Sequence, residues 1–290
     1  MSEKSVYFTP YKVSTITCNA NIGENVFINL SILYENISPV LENNNIIWIQ
    51  NSSDESKGIN PKKIRKSKKE KKKKTRFDNQ ITILYQINDN YRPNVKIFKN
   101  GNIQLTGITK IDYDVENISN YIINKIKYIY TINNKINFNY ETETKEEFFN
   151  KLNYQNFKIR MINTDFKSFT DEKLENKFYI RRKELHNLLI NQKYNNKSSF
   201  QPGIYQGVKL EYYYSSINNN GICKCKIHNF SKKNNLSDCK KVTIAIFESG
   251  SILITGGINF DQVNMAYNHI TNVIKDNIDI IQKKIINLEN

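Results

Sequence analysis

The chain has 290 residues, 39% of them hydrophobic and 12% aromatic, with a formal charge of +15. Its 18 Tyr and 15 Phe supply enough large apolar surface to offset chain entropy, which excludes a disordered protein, and its length suits one large domain or two moderate ones. A balance this basic favours nucleic acid, an anionic membrane surface or an acidic protein as partner. Four cysteines are too few and too unevenly spread for a disulfide framework. With no signal-peptide pattern and no apolar run long enough for a bilayer, the expectation is a soluble, intracellular protein without a membrane partner.

In chain order, the alternating run VSTITCNANI at 13–22 reads as a strand, and a helical stretch follows at about 26–33. Next comes an insertion from about 51 to 76. Its segment Lys62 to Arg76 holds eleven basic residues and one acid, and removing it leaves a net charge of about +5. Such a run is a solvated loop, a nuclear-import signal or a phosphate-contacting arm. QITILYQI at 80–87 reads as another strand. VKIFKNGNIQLTGITK at 95–110 is two alternating runs about a two-residue turn centred on Asn100-Gly101, which predicts a β-hairpin. A helix is expected from Tyr113 to Tyr130, where Val115, Ile118, Ile122, Ile126 and Ile129 recur at three- and four-residue spacing and make one packing face.

The acidic run ETETKEEFF from 141 reads as the start of a connecting helix. FKIRMI at 157–162 predicts a strand, 178–190 a helical stretch and GVKLEYYYS at 207–215 a further strand. A second insertion at about 216–241 contains Cys223, Cys225, His228 and Cys239. Thiolate and imidazole ligands suit tetrahedral zinc, so these four form a candidate metal set, although C-x-C-x-x-H-x10-C is not one of the strong zinc spacings. The alternative is thiols in a loop hairpin, and no other cofactor is expected. A second hairpin, IAIFESGSILITGGIN at 244–259, turns at Ser249-Gly250 and leads into a helix from Phe260 to Leu288.

The two hairpins superpose at an offset of 149 positions: Ile97, Phe98, Gly101, Ile103, Thr106 and Gly107 fall on Ile246, Phe247, Gly250, Ile252, Thr255 and Gly256 without a gap. The order strand, helix, strands, helix therefore occurs twice, over residues 1–140 with the basic insertion and 141–290 with the cysteine insertion. Two such α+β units expose one sheet face if their helices cover only the other, and that face must be polar, covered or meant for a ligand.

These residues resemble the TATA-box-binding protein family, whose repeats carry an IF-x-x-G-x-(V/I)-x-x-T-G hairpin. FQPGIYQGVKLEY at 200–212 is similar to the stretch upstream of that family's second hairpin, with Pro202, Tyr205 and Gly207 on its Pro, Phe and Gly. VSTIT and FKIRMI resemble its opening strands. The divergence and codon bias resemble the copy found in large cytoplasmic DNA viruses; under that bias Asn-rich loops are read as carrying no functional signal. The resemblance implies a two-repeat saddle, a curved antiparallel sheet with helices on the convex face. It implies a transcription initiation factor that binds double-stranded, AT-rich promoter DNA through the minor groove and bends it by pushing aromatic wedges between base steps, the mode this family itself exemplifies. Its helical face would meet general transcription factors and RNA polymerase, in the nucleus or a viral factory.

By this resemblance the wedges fall on Phe77, Phe98, Tyr205 and Phe247, with Thr106 and Thr255 beside them as hydrogen-bonding residues. Lys96, Lys99 and Lys110 would touch phosphates. Lys96 and Gln104 depart from the family's aliphatic residues, and its two groove-reading Asn positions fall on Tyr11 and Met161, while Asn163 lies nearby out of frame. These departures put TATA preference in question. No His of the three stands in a triad or hydrolase pattern and the hairpin glycines are not a phosphate loop, so no enzyme is expected. Two other readings stand beside the first: a protein-interaction scaffold that keeps the fold without groove binding, and a general nucleic-acid binder acting through the Lys62 to Arg76 arm.

Overall fold

Alternation writes the strands of this protein. In β2 (Lys12–Asn21), Ile16, Cys18 and Ala20 are buried while Thr17, Asn19 and Asn21 are half-exposed, as the two-residue period of a strand with one covered face requires. The computed structural model describes residues 5–39, 45–61, 79–132, 144–215, 220–223 and 239–283. They fall into two compact units: unit A is Ile16–Ile159, and unit B is Met1–Thr15 together with Arg160–Asn290.

Unit A comprises the Ile16–Asn21 part of β2, α1 (Leu30–Asn36), β3 (Ile46–Gln50), β4 (Ser56–Gly58), β5 (Gln80–Tyr85), β6 (Asn94–Phe98), β7 (Asn102–Ile108), α2 (Ile111–Ile132) and α3 (Lys145–Lys151). Its sheet is antiparallel throughout, in the order β4-β3-β5-β6-β7-β2. Unit B comprises β1 (Tyr7–Phe8), all of β8 (Gln155–Phe169) from Arg160 onward, α4 (Arg182–Ile190), β9 (Lys197–Gln201), β10 (Tyr205–Tyr214), β11 (Lys240–Ile246), β12 (Ser251–Gly257), α5 (Phe260–Lys275) and α6 (Ile278–Ile281). Its order is β1-β8-β12-β11-β10-β9, again antiparallel. Stripped of β4 and β1, the two sheets have the same five-strand order and the same placement of helices along the chain. The fold is α+β.

Helices cover one face of each sheet. In unit A, α2 packs on β7 and α1 on β5, and the two helices touch. Val115, Ile118, Ile122, Ile126 and Ile129 of α2 are all buried, as their spacing predicts, each contributing about 1.5–3 kcal/mol of hydrophobic burial. In unit B, α5 lies over β10, β11 and β12 through Val263, Ala266, Ile270, Val273 and Ile274, while α4 covers β9 and β10.

Several elements differ from the sequence expectation. The hairpin loops hold three residues, not two. Phe98 C=O accepts from Gly101 N–H at 3.1 Å and Phe247 C=O from Gly250 N–H at 3.1 Å. In each loop only the glycine has positive φ, +76° and +78°, so a two-residue turn needing two such residues is not formed. Helix α1 starts at Leu30, later than expected, because Ile28 N–H is taken by Lys99 C=O at 2.7 Å and Asn29 then caps the helix through Ile32 N–H. Likewise Ile180 N–H donates to Glu248 C=O at 2.9 Å, and α4 starts only at Arg182.

The insertion expected as a loop from 51 opens instead with β4, paired to β3. The last expected helix stops at Lys275, since the Asn277 side chain takes the Val273 carbonyl at 2.8 Å and the Tyr194 hydroxyl at 2.7 Å, displacing the backbone pattern that would continue the helix. The acidic run forms α3, with Thr144 and Glu147 closing a reciprocal capping box.

His186 and His269 lie in helices. His269 Nε2 donates to Asn196 Oδ1 at 3.2 Å, and its ring sits 5.1 Å from that of Tyr212. Burial holds its pKa below the usual histidine range. The folded ring therefore takes up its proton at lower pH than the ring in the unfolded chain, which titrates at about pH 6.5. A base with a depressed folded pKa stabilises the fold above its unfolded pKa, and that contribution is lost as pH falls toward the folded value. Urea unfolding between pH 7.5 and 5 is expected to show stability falling with a slope of up to about 1.4 kcal/mol per pH unit from this group, and His269→Gln is expected to flatten it.

Candidate nucleic-acid interface

The sheet face opposite the helices carries the candidate residues of each unit. In unit A, Lys96 stands across from Gln104 on β7 and from Thr82 on β5, and Gln104 Nε2 reaches Asn19 Oδ1 at 3.5 Å. Thr82, Lys96, Gln104 and Asn19 thus form one transverse row. Thr106 lies in the next row, between Asn94 and Thr17. Phe98 closes β6 at the hairpin end, half-buried, and Lys99 and Lys110 are exposed. Phe77 and the Lys62 to Arg76 run lie outside the described residues.

In unit B, Tyr205 opens β10 and Phe247 follows β11. Their ring centroids are 5.7 Å apart with planes at 57°. Gly207 makes this approach possible: a Cβ there would stand 2.9 Å from Tyr205 Cε1 and 3.1 Å from Phe247 Cε1. Lys209 Nζ lies 4.2 Å from the centre of the Tyr205 ring, a cation–π contact. Next to the rings the sheet forms an open depression of about 450 Å³ lined by Tyr205, Lys209, Glu211, Thr243, Leu253 and Thr255. Thr255 faces Asn163 on β8 and Thr243 on β11. Asn163 Oδ1 is shielded from solvent and has no hydrogen-bond partner among the described residues.

Two carboxylates share this face, and both are matched by cations. Asp165 accepts from Ser14 Oγ at 2.7 Å and pairs with Lys12 at 3.5 Å. Glu211 pairs with Lys197 at 3.0 Å and Lys241 at 3.4 Å and accepts from Tyr213 OH at 2.7 Å. Burial acts to raise the Glu211 carboxyl, but Tyr213 and the two lysines outweigh it and hold the group below its ordinary range. Both carboxylates are thus offset by lysines, on a face that carries apolar rings at its hairpin end.

The alternation of β8 adds a residue to the open face. Ile162, Thr164 and Phe166 are buried, while Met161, Asn163 and Asp165 are only partly so, which sets Asn163 on the same face as Met161. Tyr11 is not on the open face: its hydroxyl donates to Asn264 Oδ1 of α5 at 2.6 Å and its ring packs edge-on to Tyr267 at 5.6 Å. Asn-rich loops carry no functional signal in the sequence, but on the strands Asn19, Asn21, Asn94 and Asn102 line the open face of unit A, with Asn21 Nδ2 bonded to Asn102 Oδ1 at 3.0 Å. Strand alternation was the signal that could have found them.

Of the candidate zinc set, Cys225 and His228 lie outside the described residues. Cys223 and Cys239 both lie near Tyr213, whose hydroxyl is raised by burial, by its bond to Glu211 and by these two thiols. Among the described residues no group of three or more His, Cys, Asp or Glu is placed to hold a metal, and no helix is long and apolar enough to cross a membrane.

No protein-family model matches the chain. Against named proteins, it is 28% identical over 290 residues to the TATA-box-binding protein-like protein of Acanthamoeba polyphaga mimivirus, a match spanning 96% of this chain and 70% of that one. The two proteins are homologues. Among solved structures, the Methanococcus jannaschii TBP aligns over 92% of this chain and 99% of its own at 14% identity, with a TM-score of 0.43, which is a loose likeness. The homology to a TATA-box-binding protein-like chain rests on sequence; the twice-repeated five-strand order stands on the structure alone.

Chemically, the arrangement offers flat apolar rings at a sheet end, amide and hydroxyl groups along rows of the same face, and lysines both at its margin and, as Lys96, in mid-face. Amides and hydroxyls suit the N3 and O2 acceptors of a minor groove, and stacked rings suit exposed base faces.

Proposed function

We propose that the chain is a non-catalytic DNA-binding transcription factor whose open sheet faces enter the minor groove and bend the duplex with aromatic wedges. The observation that carries this reading is the Tyr205–Phe247 pair, held side by side at the hairpin end of a sheet whose other face is covered by helices. Unstacking a base step costs a few kcal/mol, and a flat apolar surface offsets that cost by covering the exposed bases. The homologue's name supports the same reading. Phe98 has the matching place in unit A, and Phe77 is proposed as its partner. Thr106, Thr255, Gln104 and Asn19 would bond groove acceptors, and Lys96 in mid-face would add affinity while relaxing sequence selectivity. The helical faces are proposed to meet transcription proteins, in the nucleus or a viral factory.

The scaffold reading is favoured by one observation, the carboxylates of Asp165 and Glu211 on the face proposed to meet a polyanion. Their pairing with Lys12, Lys197 and Lys241 removes most of that repulsion.

Fluorescence energy transfer across end-labelled AT-rich duplexes tests the proposal, with wild type and a deletion of residues 62–76 at near-physiological salt. Both proteins are expected to bend DNA. The deletion should bind more weakly, and its salt dependence should be shallower by about 0.9 for each phosphate that the arm would otherwise neutralise. Loss of all binding on deletion would transfer the function to the arm. Absence of bending by wild type would leave the scaffold.

A further inference from the structure

Arg182, the first residue of α4, holds two separate turns with one side chain. Its Nη1 donates to the Gln206 main-chain carbonyl and, at 3.1 Å, to Gln206 Oε1; its Nη2 donates to Glu248 Oε2 at 2.9 Å. Gln206 directly follows Tyr205, and Glu248 directly follows Phe247. The guanidinium therefore ties together the two chain segments that carry the aromatic pair. It also lies 5.3 Å from the centre of the Phe200 ring, and its side chain is only 19% exposed.

The rest of the clamp fixes what Arg182 grips. Gln206 Nε2 donates back to Pro202 C=O at 2.8 Å, closing the turn before Tyr205. Lys283 Nζ lies 2.6 Å from the other Glu248 oxygen, and Ile180 N–H holds the Glu248 main-chain carbonyl. Arginine suits this task and lysine does not, because a planar guanidinium presents several donors in fixed directions and stacks on a ring, whereas an ammonium is a single point of charge. In unit A, Lys99 stands where the second hairpin has Glu248, and α1 begins with Leu30 and Ser31, so no such clamp forms there among the described residues.

We propose that Arg182 is the positioning residue of the Tyr205–Phe247 wedge, setting the spacing and tilt of the two rings by holding Gln206 and Glu248 at once, without contacting DNA itself. This rests on the reading that the pair enters a base step, and two measurements on the full chain keep the claims apart. The first uses no DNA: in protein with ¹³C-labelled aromatic residues, the cross-relaxation between the Tyr205 and Phe247 rings is measured for wild type, Arg182→Lys, Arg182→Met and Glu248→Gln. The expected result is a loss of at least half its intensity in Arg182→Met, with partial loss in Arg182→Lys and Glu248→Gln, which each keep part of the bonding and guard against a misfolded Met variant.

The second places 2-aminopurine in turn at each adenine of an AT-rich duplex and reads its fluorescence at saturating protein. Wild type is expected to raise the signal at a step where Phe247→Ala does not, and Arg182→Met to cut that rise about threefold while Kd rises less than tenfold. Unchanged ring cross-relaxation in all three variants overturns the proposal, as does a wild-type 2-aminopurine signal in Arg182→Met. If wild type raises no signal at any step while the ring contact still depends on Arg182, the DNA-wedge reading falls and the positioning role stands as a property of the fold.

Discussion

Replacing Phe98 and Phe247 together by Ala is expected to abolish bending of AT-rich DNA while leaving both units folded. Base–aromatic stacking contributes about 1–3 kcal/mol per base by alanine substitution, so two missing wedges should weaken bent-state binding by at least about thirtyfold. The lysines at the margin still neutralise phosphates, so residual unbent binding should persist and remain salt-dependent. Both rings are half-buried, and truncation should cost less than the roughly 3–5 kcal/mol of a core Phe→Ala change, a loss visible in thermal melting but short of unfolding. Energy-transfer efficiency at saturating protein, with circular dichroism on the same samples, separates these effects. Retained bending in the double variant would remove the wedges from the mechanism. Tyr205→Phe is the matched control, since it keeps the ring and its contact with Phe247 and deletes only a hydroxyl.

What the sequence disclosed and what it hid divide along a physical line. The hairpins were legible because alternation and glycine are local signals; Phe98 and Phe247 could be singled out because the repeat and the family resemblance both fall on them, and Tyr205 through the resemblance alone. Strand β9 was not legible: KSSFQ is polar and aperiodic, and it is a strand only because β10 offers it a ladder. Helix α1 starts later than its local sequence suggests because Ile28 N–H has a partner about seventy residues away, a tertiary bond that overrides local preference. The place of Tyr11 on the helix side leaves no local trace, since Asn264 and Tyr267, at the far end of the chain, fix it. Around the aromatic pair, the need for a missing Cβ at Gly207 and the grip of Arg182 on a distant carbonyl and carboxylate leave no periodic trace; only the folded chain brings them together.

Gly250→Ala is expected to destabilise unit B by about 3 kcal/mol or more, whereas Gly256→Ala should cost only about 1–2 kcal/mol. Both glycines have positive φ, +78° and +94°, so both substitutions carry the penalty of a Cβ in the left-handed region. They differ in what the new atom meets. At Gly250 it would stand 2.4 Å from Phe178 O and 2.5 Å from Ser168 Oγ, whereas at Gly256 the nearest atom is Lys241 O at 3.6 Å. Phe178 O is main chain and cannot swing aside, and the buried Ser168 Oγ is already committed to Phe178 O at 3.3 Å and Gly250 O at 3.2 Å. Accommodating the methyl group must break some of these bonds and leave buried polar atoms without partners, at about 1–3 kcal/mol each. Urea unfolding at constant slope measures the two costs directly, and equal losses within about 0.5 kcal/mol would show that backbone conformation alone sets them. Because Gly250 closes the turn whose first residue is Phe247, Gly250→Ala should also lower the bend angle in protein that remains folded, and Gly256→Ala should not.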